Sequence, residues 1–425
     1  MRYHPSTLAI LGELLTRDRP SALDPYVRWV RTTPAVLAIA LAAAVLCGLY
    51  LHPRAFVLAA ALAAMIAIGI AWPWASVRGL HAKLGFGKHR VREGESVSSV
   101  LRVRNRLPWP ASGLAVRSSR SAVLDGAPAM PSAAGWSTTE VRSESVPLIR
   151  GEYPGPGARI ATAFPFGIFT AAQPLEVSTP LLVWPRTFPV GPIPELAWGR
   201  EGEGLAPRRK AGTSGDLLGV RPSRRGDSLR RVHWPQSARQ GHLIVCELEA
   251  VAVPSIQIVL DAHPAAHDGT GPDGSLEWAV RIAASFAEGW IDLGAAVEIV
   301  HGDRSIAATS GPVGRRKARV LDALARLGSD GRQTLDDVLG GPRCMQFAGG
   351  LRIVVTTDRA LHRLATPPDR AGAERFVVLH AGAFAGVAGQ LGTGRLARRP
   401  WLWIDGPSSV PDALRRGWKE AGHAH

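Results

Sequence analysis

The densest run of chemically capable side chains lies between Gly215 and Arg239. It reads Gly215-Asp216-Leu217-Leu218-Gly219-Val220-Arg221-Pro222, then Gly226-Asp227-Ser228-Leu229-Arg230-Arg231-Val232-His233-Trp234, then Ser237-Ala238-Arg239. Asp227 and His233 are the parts of a general acid–base pair if the fold brings carboxylate and imidazole together. Asp227 is also placed to cap a short helix running from Ser228 to about Trp234, accepting backbone N–H groups that have no intrahelical partner. Pro235 disfavours helical backbone at Trp234, which limits such a helix to one or two turns. On it Arg230 and Trp234, four apart, would share a face and permit cation–π packing. Three roles stay open for Asp227, Arg230, Trp234 and Arg239: an ion-pair and packing cluster that fixes a linker, a docking surface, or a catalytic set.

Two further acids, Asp261 and Asp358, each close an apolar run of strand character, where acids serve as turn formers or as partners of arginines. Nucleotide, metalloprotease and hydrolase motifs are missing: there is no Gly-x-x-x-x-Gly-Lys-Ser/Thr, no His-Glu-x-x-His, no strand-borne Gly-x-Gly-x-x-Gly and no Gly-x-Ser-x-Gly. No motif proposes a reaction, and the chain is read as a non-enzyme with no cofactor; the alternative is metal-dependent protein binding or hydrolysis around Asp261, His263 and Asp358.

The elements that must position these residues fall into three regions. From residue 254 onward strand and helix signals alternate: strands at 255–261, 295–301, 305–309, 351–358, 376–380 and 401–405, helices at 275–292 and 315–327. That alternation predicts an α/β domain over 254–425 with a mainly parallel sheet covered by helices on both faces. Residues 80–200 carry short alternating runs such as Val97–Asn105 and Gly157–Phe164, separated by Gly, Pro and Ser, and predict a small antiparallel sandwich. Residues 201–253 form a linker that carries the Gly226 to Arg239 segment.

Ahead of these, Thr32 to Leu51 and Ala55 to Val77 contain no Asp, Glu, Lys, Arg or His, and only His52, Pro53 and Arg54 separate them. The spacing predicts a tight transmembrane hairpin over 34–77, preceded by a segment of residues 1–33; the alternative is a buried helical hairpin of a soluble protein. Arg2, Arg17, Arg19, Arg28 and Arg31 precede it and Arg78, Lys83, Lys88, Arg90 and Arg92 come after it, against Arg54 alone in the turn. The bias puts both termini in the cytoplasm, at a plasma (inner) membrane. The apolar run starts too late and runs too long for a signal peptide.

With 425 residues, 46% of them hydrophobic, the chain has enough apolar material to fold, and its mean hydropathy of +0.04 averages an apolar hairpin with a polar body. Cys47, Cys246 and Cys344 lie too far apart for a Cys-x-x-Cys site. The net charge of +15 raises anionic partners. Residues Arg200 to Gly241 hold ten Lys/Arg against four acids, which favours attraction to anionic lipid as an accessory. Nucleic acid is not expected, because these basic residues are interleaved with apolar packing signals and not set in a recognised module.

The Gly-Asp pair, the arginine, the tryptophan and the Ser-Ala-Arg triplet of residues 226–239 resemble the central signature of the DUF58 family. Arg150-Gly151-Glu152-Tyr153, Phe164-Pro165-Phe166-Gly167 and Val183-Trp184-Pro185 resemble the segments that precede it in that family. The resemblance spans the hairpin to about Asp358. It implies a C-terminal domain similar to a von Willebrand factor A-type domain and a MoxR-type AAA+ ATPase as partner, in complex assembly or cell-envelope maturation. Such domains hold a divalent cation through Asp-x-Ser-x-Ser, a Thr and a second Asp. Here the first element reads Asp261-Ala262-His263-Pro264-Ala265, so both serine oxygens are missing and Asp261 and Asp358 are degenerate candidates only.

Overall fold

The computed structural model describes residues 33–194, 211–224, 227–249, 253–328, 331–347, 350–364, 374–384 and 400–421. Gly226, the arginines before residue 32 and residues 201–210, 225 and 250–252 of the expected linker lie outside the described residues.

Helices Thr33–Tyr50 and Ala55–Arg78 form the N-terminal hairpin. At ~1.5 Å per residue they measure about 27 and 36 Å, near or above the ~30 Å hydrocarbon layer of a bilayer. Both are apolar all round and mostly uncovered by the other described residues, and by length and composition they could cross a membrane. The turn closes through the Leu51 and His52 amides, which both donate to the Cys47 carbonyl at 3.0 Å. Gly48 lets the helices meet there: a Cβ at this position would stand 2.9 Å from the Phe56 ring.

The middle region is built from strands whose side chains alternate between core and solvent. Val97–Asn105 and Leu80–Phe86 bury every second residue and pair antiparallel in full register, Leu80 opposite Asn105 and Phe86 opposite Ser99. They lie in a five-stranded sheet ordered Glu176–Thr179, Leu80–Phe86, Val97–Asn105, Thr138–Pro147 and Leu124–Asp125. A four-stranded sheet runs Ala171–Pro174, Arg159–Thr162, Ala111–Arg117 and Ala129–Ala133. Leu84, Leu101 and Val103 of the first meet Leu114, Met130 and Ile160 of the second in one apolar core. A third sheet joins Arg90–Arg92, Leu181–Trp184 and Gly151–Tyr153.

The C-terminal sheet is mixed and six-stranded: Arg304–Ala308, Ala296–His301, Ser255–Leu260, Leu351–Thr357, Glu374–Leu379 and Leu402–Ile404. All neighbours pair parallel except the edge strand Arg304–Ala308, which returns antiparallel to Ala296–His301. Ser255–Leu260 and Leu351–Thr357 are buried on both sides, the pattern of a sheet covered on two faces. Helix Ser275–Asp292 packs Phe286 and Trp290 on one face with Val320 and Leu324 of helix Val313–Arg326; Leu335, Val338, Cys344 and Leu361 cover the other. Because the chain leaves Ser255–Leu260 for one neighbour and later adds Leu351–Thr357 on the opposite side, the strand order reverses between these two. Ligand crevices of open α/β sheets form at such a point.

Candidate functional site

The Arg221 to Arg239 signature is the connection of a β-ribbon made by strands Ala211–Pro222 and Ile244–Glu249, paired with Pro222 opposite Ile244 and Val220 opposite Cys246. The first of these strands begins at Ala211, inside the segment read as linker. Asp227 does not cap a helix. The Arg221 guanidinium donates two hydrogen bonds to its carboxylate, at 2.7 and 2.9 Å, and the Arg224 N–H donates a third at 2.7 Å. This fork and the backbone donor hold the Asp227 carboxyl down at about 2.

After Asp227 the chain makes a single 3-10 turn, Leu229–Arg231, and Val232 then bridges to Val245 in extended form. The helix starts later, at Trp234, and runs to Gln240. Its cap is His233, whose Nδ1 accepts the Gln236 N–H at 3.3 Å, and Pro235 sits in the first turn, where a missing N–H costs nothing. The expected shared face of Arg230 and Trp234 is therefore absent: they stand on different elements. His233 is likewise no acid–base partner of Asp227, since each is engaged with backbone or Arg221. Ser237 ties the helix to the ribbon, its Oγ accepting the Ile244 N–H at 2.9 Å and donating to the His233 carbonyl at 3.0 Å. Gly241 ends the helix with φ 71, the left-handed cap, and its N–H donates to the Ser237 carbonyl.

Of the signature side chains, Ser237 is buried, Asp227 and His233 are half-buried, and Arg230, Trp234, Ala238 and Arg239 face outward. Trp234 is 63% exposed, Leu229 67% and Leu243 43%, values that leave large apolar groups in solvent on a turn otherwise held by hydrogen bonds.

The strand-end acids lie at the ends of neighbouring strands, at the sheet's switch point. Asp261 is buried; its Oδ1 accepts the His263 N–H at 3.0 Å and its Oδ2 the Thr356 hydroxyl at 2.9 Å. Asp358 uses Oδ1 to accept the Arg359 and Ala381 N–H groups, both at 3.0 Å, and has His380 Nδ1 3.3 Å from Oδ2. A cavity of about 120 Å³ opens beside Asp261, lined also by His263, Thr334, Asp336, Arg363 and Leu364. Half-buried His267 donates to or accepts from Ser275 Oγ at 3.1 Å and sits 2.8 Å from the Asp261 carbonyl; desolvation pushes its pKa down. Among the described residues no group of three or more His, Cys, Asp or Glu is arranged to hold a metal ion. Both carboxylates accept from the chain's own donors.

Sequence reasoning missed the polar seam that joins the β-rich region to the α/β domain. Glu93 is its hub: Oε2 accepts Arg281 Nε at 2.7 Å and the Arg186 N–H at 3.1 Å, while Oε1 accepts the Arg150 N–H at 2.7 Å. Arg150 extends across the seam to the Leu324 and Leu327 carbonyls, at 2.9 and 2.8 Å, and to the Glu277 carboxylate. Arg92 forks onto Glu288 at 2.6 and 2.9 Å, and Arg90 onto Asp322, which also accepts Trp184 Nε1 at 2.8 Å. Burial pushes the Glu288 and Asp322 carboxyls up, but their arginine forks outweigh it and both end below the ordinary range. Tyr153 is buried, its pKa pushed up to about 12 by desolvation, and its hydroxyl donates to the Ile149 carbonyl at 2.7 Å. The signal was there in Arg90-Val91-Arg92-Glu93 and Arg150-Gly151-Glu152-Tyr153: charged residues flanking strands within an apolar alternation, which need charged partners from elsewhere.

No family model matches the chain, and no curated protein matches it. Solved structures with a remote likeness to the chain include two of one enzyme. One is a GH20 exo β-N-acetylglucosaminidase from Vibrio harveyi in complex with N-acetylglucosamine, 8% identical over 69% of this chain and 61% of that one, with a TM-score of 0.20. The other is an inactive mutant of the same enzyme, 10% identical over 43% of this chain and 31% of that one, with a TM-score of 0.16. The chain thus spans less than two thirds of either, and at these TM-scores the likeness carries no argument about fold or activity.

Proposed function

We propose that this chain is a membrane-anchored, non-enzymatic adaptor of the DUF58 type. Its hairpin crosses the plasma (inner) membrane with both termini in the cytoplasm. The two sheets that share a core act as a β-sandwich, and the C-terminal mixed sheet as a degenerate A-type domain without a working metal site. Both are supports for a docking surface.

The observation that carries this reading is the signature turn. Leu229, Trp234 and Leu243 stand exposed among the outward-facing Arg224, Arg230 and Arg239, on a backbone pinned by the Arg221–Asp227 fork and by Ser237. Exposed aromatic and apolar anchors with arginine beside them are what protein interfaces use at their centres. The partner is a MoxR-type AAA+ ATPase, and the seam of ion pairs would pass force from the docked partner to the membrane-attached region as one body. A photo-crosslinking side chain at Trp234 in the full chain, in native membranes, tests this. The ATPase is expected in the crosslinked product, whereas the same probe at Leu293 should not capture it. Capture of no ATPase from Trp234, with the protein folded and in the membrane, overturns the reading.

A further inference from the structure

The β-rich region does not simply hang below the hairpin. Two of its loops climb along helix Ala55–Arg78. The first, residues 163–170, carries Phe164, Phe166, Ile168 and Phe169; Phe166 and Phe169 lie against Gly69, where an added Cβ would be 3.5 Å from each ring. The second, the turn after strand Val97–Asn105, brings Trp109 to Trp72, ring centroids 6.1 Å apart, and lays Leu107 over Gly79. Gly69 is nine residues inside the Arg78 end of the helix, or ~13 Å along its axis. Half of a ~30 Å hydrocarbon layer is ~15 Å. If Arg78 marks the interface, the Phe166 ring therefore reaches well into one leaflet.

The side chains agree with that depth. Phe164 and Phe166 stay 43% and 46% exposed among the described residues, whereas Ile168 and Phe169 of the same loop are half-buried. Trp72, Trp74 and Trp109, each partly exposed, gather near the Arg78 end, and the Arg78 guanidinium stacks over the Trp74 ring at 3.4 Å. Aromatic rings with one polar edge, topped by a cation, are the composition of a membrane interface. Beside Gly69, Ile68 and Ile70 of the helix are 48% and 51% exposed, so the loop and the helix it touches meet the same medium.

We infer that loop Phe164–Phe169 is a second membrane element, inserted into the cytoplasmic leaflet beside helix Ala55–Arg78 with Phe164 and Phe166 among the acyl chains and Trp72, Trp74 and Trp109 at headgroup level. This rests on the reading that the hairpin spans the membrane. Its consequence is that the body is clamped to the bilayer surface in one orientation, which a hairpin alone would not impose.

The test uses the full chain in phosphatidylglycerol/phosphatidylethanolamine vesicles with Cys47→Ala, Cys246→Ser and Cys344→Ala as background. Spin labels are attached in turn at Phe166→Cys, Phe164→Cys, Ala64→Cys in the helix and Leu293→Cys in the α/β domain. Collisions with oxygen and with a water-soluble nickel chelate are then compared. The expected result is an oxygen-to-nickel ratio at Phe166 and Phe164 several-fold above that at Leu293 and close to that at Ala64. A lipid-like Ala64 with water-like Phe164 and Phe166 overturns loop insertion while leaving the hairpin in place. Water-like values at all sites overturn the spanning hairpin itself. A loop label immobilised and shielded from both reagents also overturns insertion, since a protein then covers the loop. Two loop positions are used so that failure of one variant to fold does not silence the measurement.

Discussion

The Glu93 carboxylate and the Arg281 guanidinium meet at 2.7 Å in the seam between the two folded regions, their side chains only 4% and 7% exposed. A buried pair of this kind contributes less net stability than its Coulomb energy implies, yet removing one partner strands the other charge. Glu93→Gln is expected to destabilise the protein by about 3 kcal/mol or more. Arg281→Met should cost less, because the Arg150 and Arg186 N–H groups still face the carboxylate. Thermal unfolding of the detergent-solubilised chain checks both, and equal Tm values for wild type and Glu93→Gln would refute the hub role.

Asp227→Asn and Arg221→Lys each break the two-pronged fork. Amide exchange at Arg224 is expected to accelerate several-fold in either variant, with the 6-stranded sheet unchanged. Because the Asp227 pKa is depressed to about 2, the fork's contribution is present at neutral pH and lost only as the pH falls through that value. Protection at Arg224, corrected for intrinsic rates, should hold constant between pH 7 and pH 4.

Gly241→Ala places a Cβ in open space but on a left-handed backbone. A cost of about 1 kcal/mol results from conformation alone. Differential exchange across residues 234–241 reads it, and a change confined to this helix is expected.

His267 is neutral in the fold because burial lowers its pKa below 6.5. Unfolding releases the ring to take up a proton once the pH drops below that value, so stability present at pH 7.5 declines as the pH falls from 6.5 toward the folded-state pKa. The Glu288 and Asp322 carboxyls, held below the ordinary range by their arginine forks, titrate below the window from pH 7.5 to 5.5. His267→Gln should flatten the slope of Tm against pH across that range.

Mg²⁺ titrated calorimetrically into the full chain should give no binding heat, since Asp261 and Asp358 already accept Thr356, His263, Arg359 and Ala381. Saturable heat that disappears in Asp261→Asn would restore a metal role.

The helical hairpin and both sheet systems were legible because their signals are local. An unbroken apolar stretch or a period of two is imposed by neighbours in the chain, as Val97–Asn105 shows with strand bounds identical to those expected from its alternation. At the signature, local reasoning failed for a physical reason. Asp227 before Ser228 looks like a helix cap, but Arg221, on a strand that the ribbon folds back beside it, offers two charged donors and outcompetes a short helix's weak N–H groups. Pro235, expected as a terminator, starts the helix because His233 supplies the cap.

By itself, then, the sequence determined where apolar helices and alternating strands form, and which residues carry charge into them. Only the tertiary structure decided their partners: Glu93 with Arg281 across 188 positions, Arg150 with the end of helix Val313–Arg326, and the Phe166 loop against Gly69. The physical reason is one of range. Backbone periodicity is set within a few residues, whereas a buried charge or an exposed ring is satisfied by whichever surface the fold brings within a few ångströms, and no spacing along the chain encodes that neighbour.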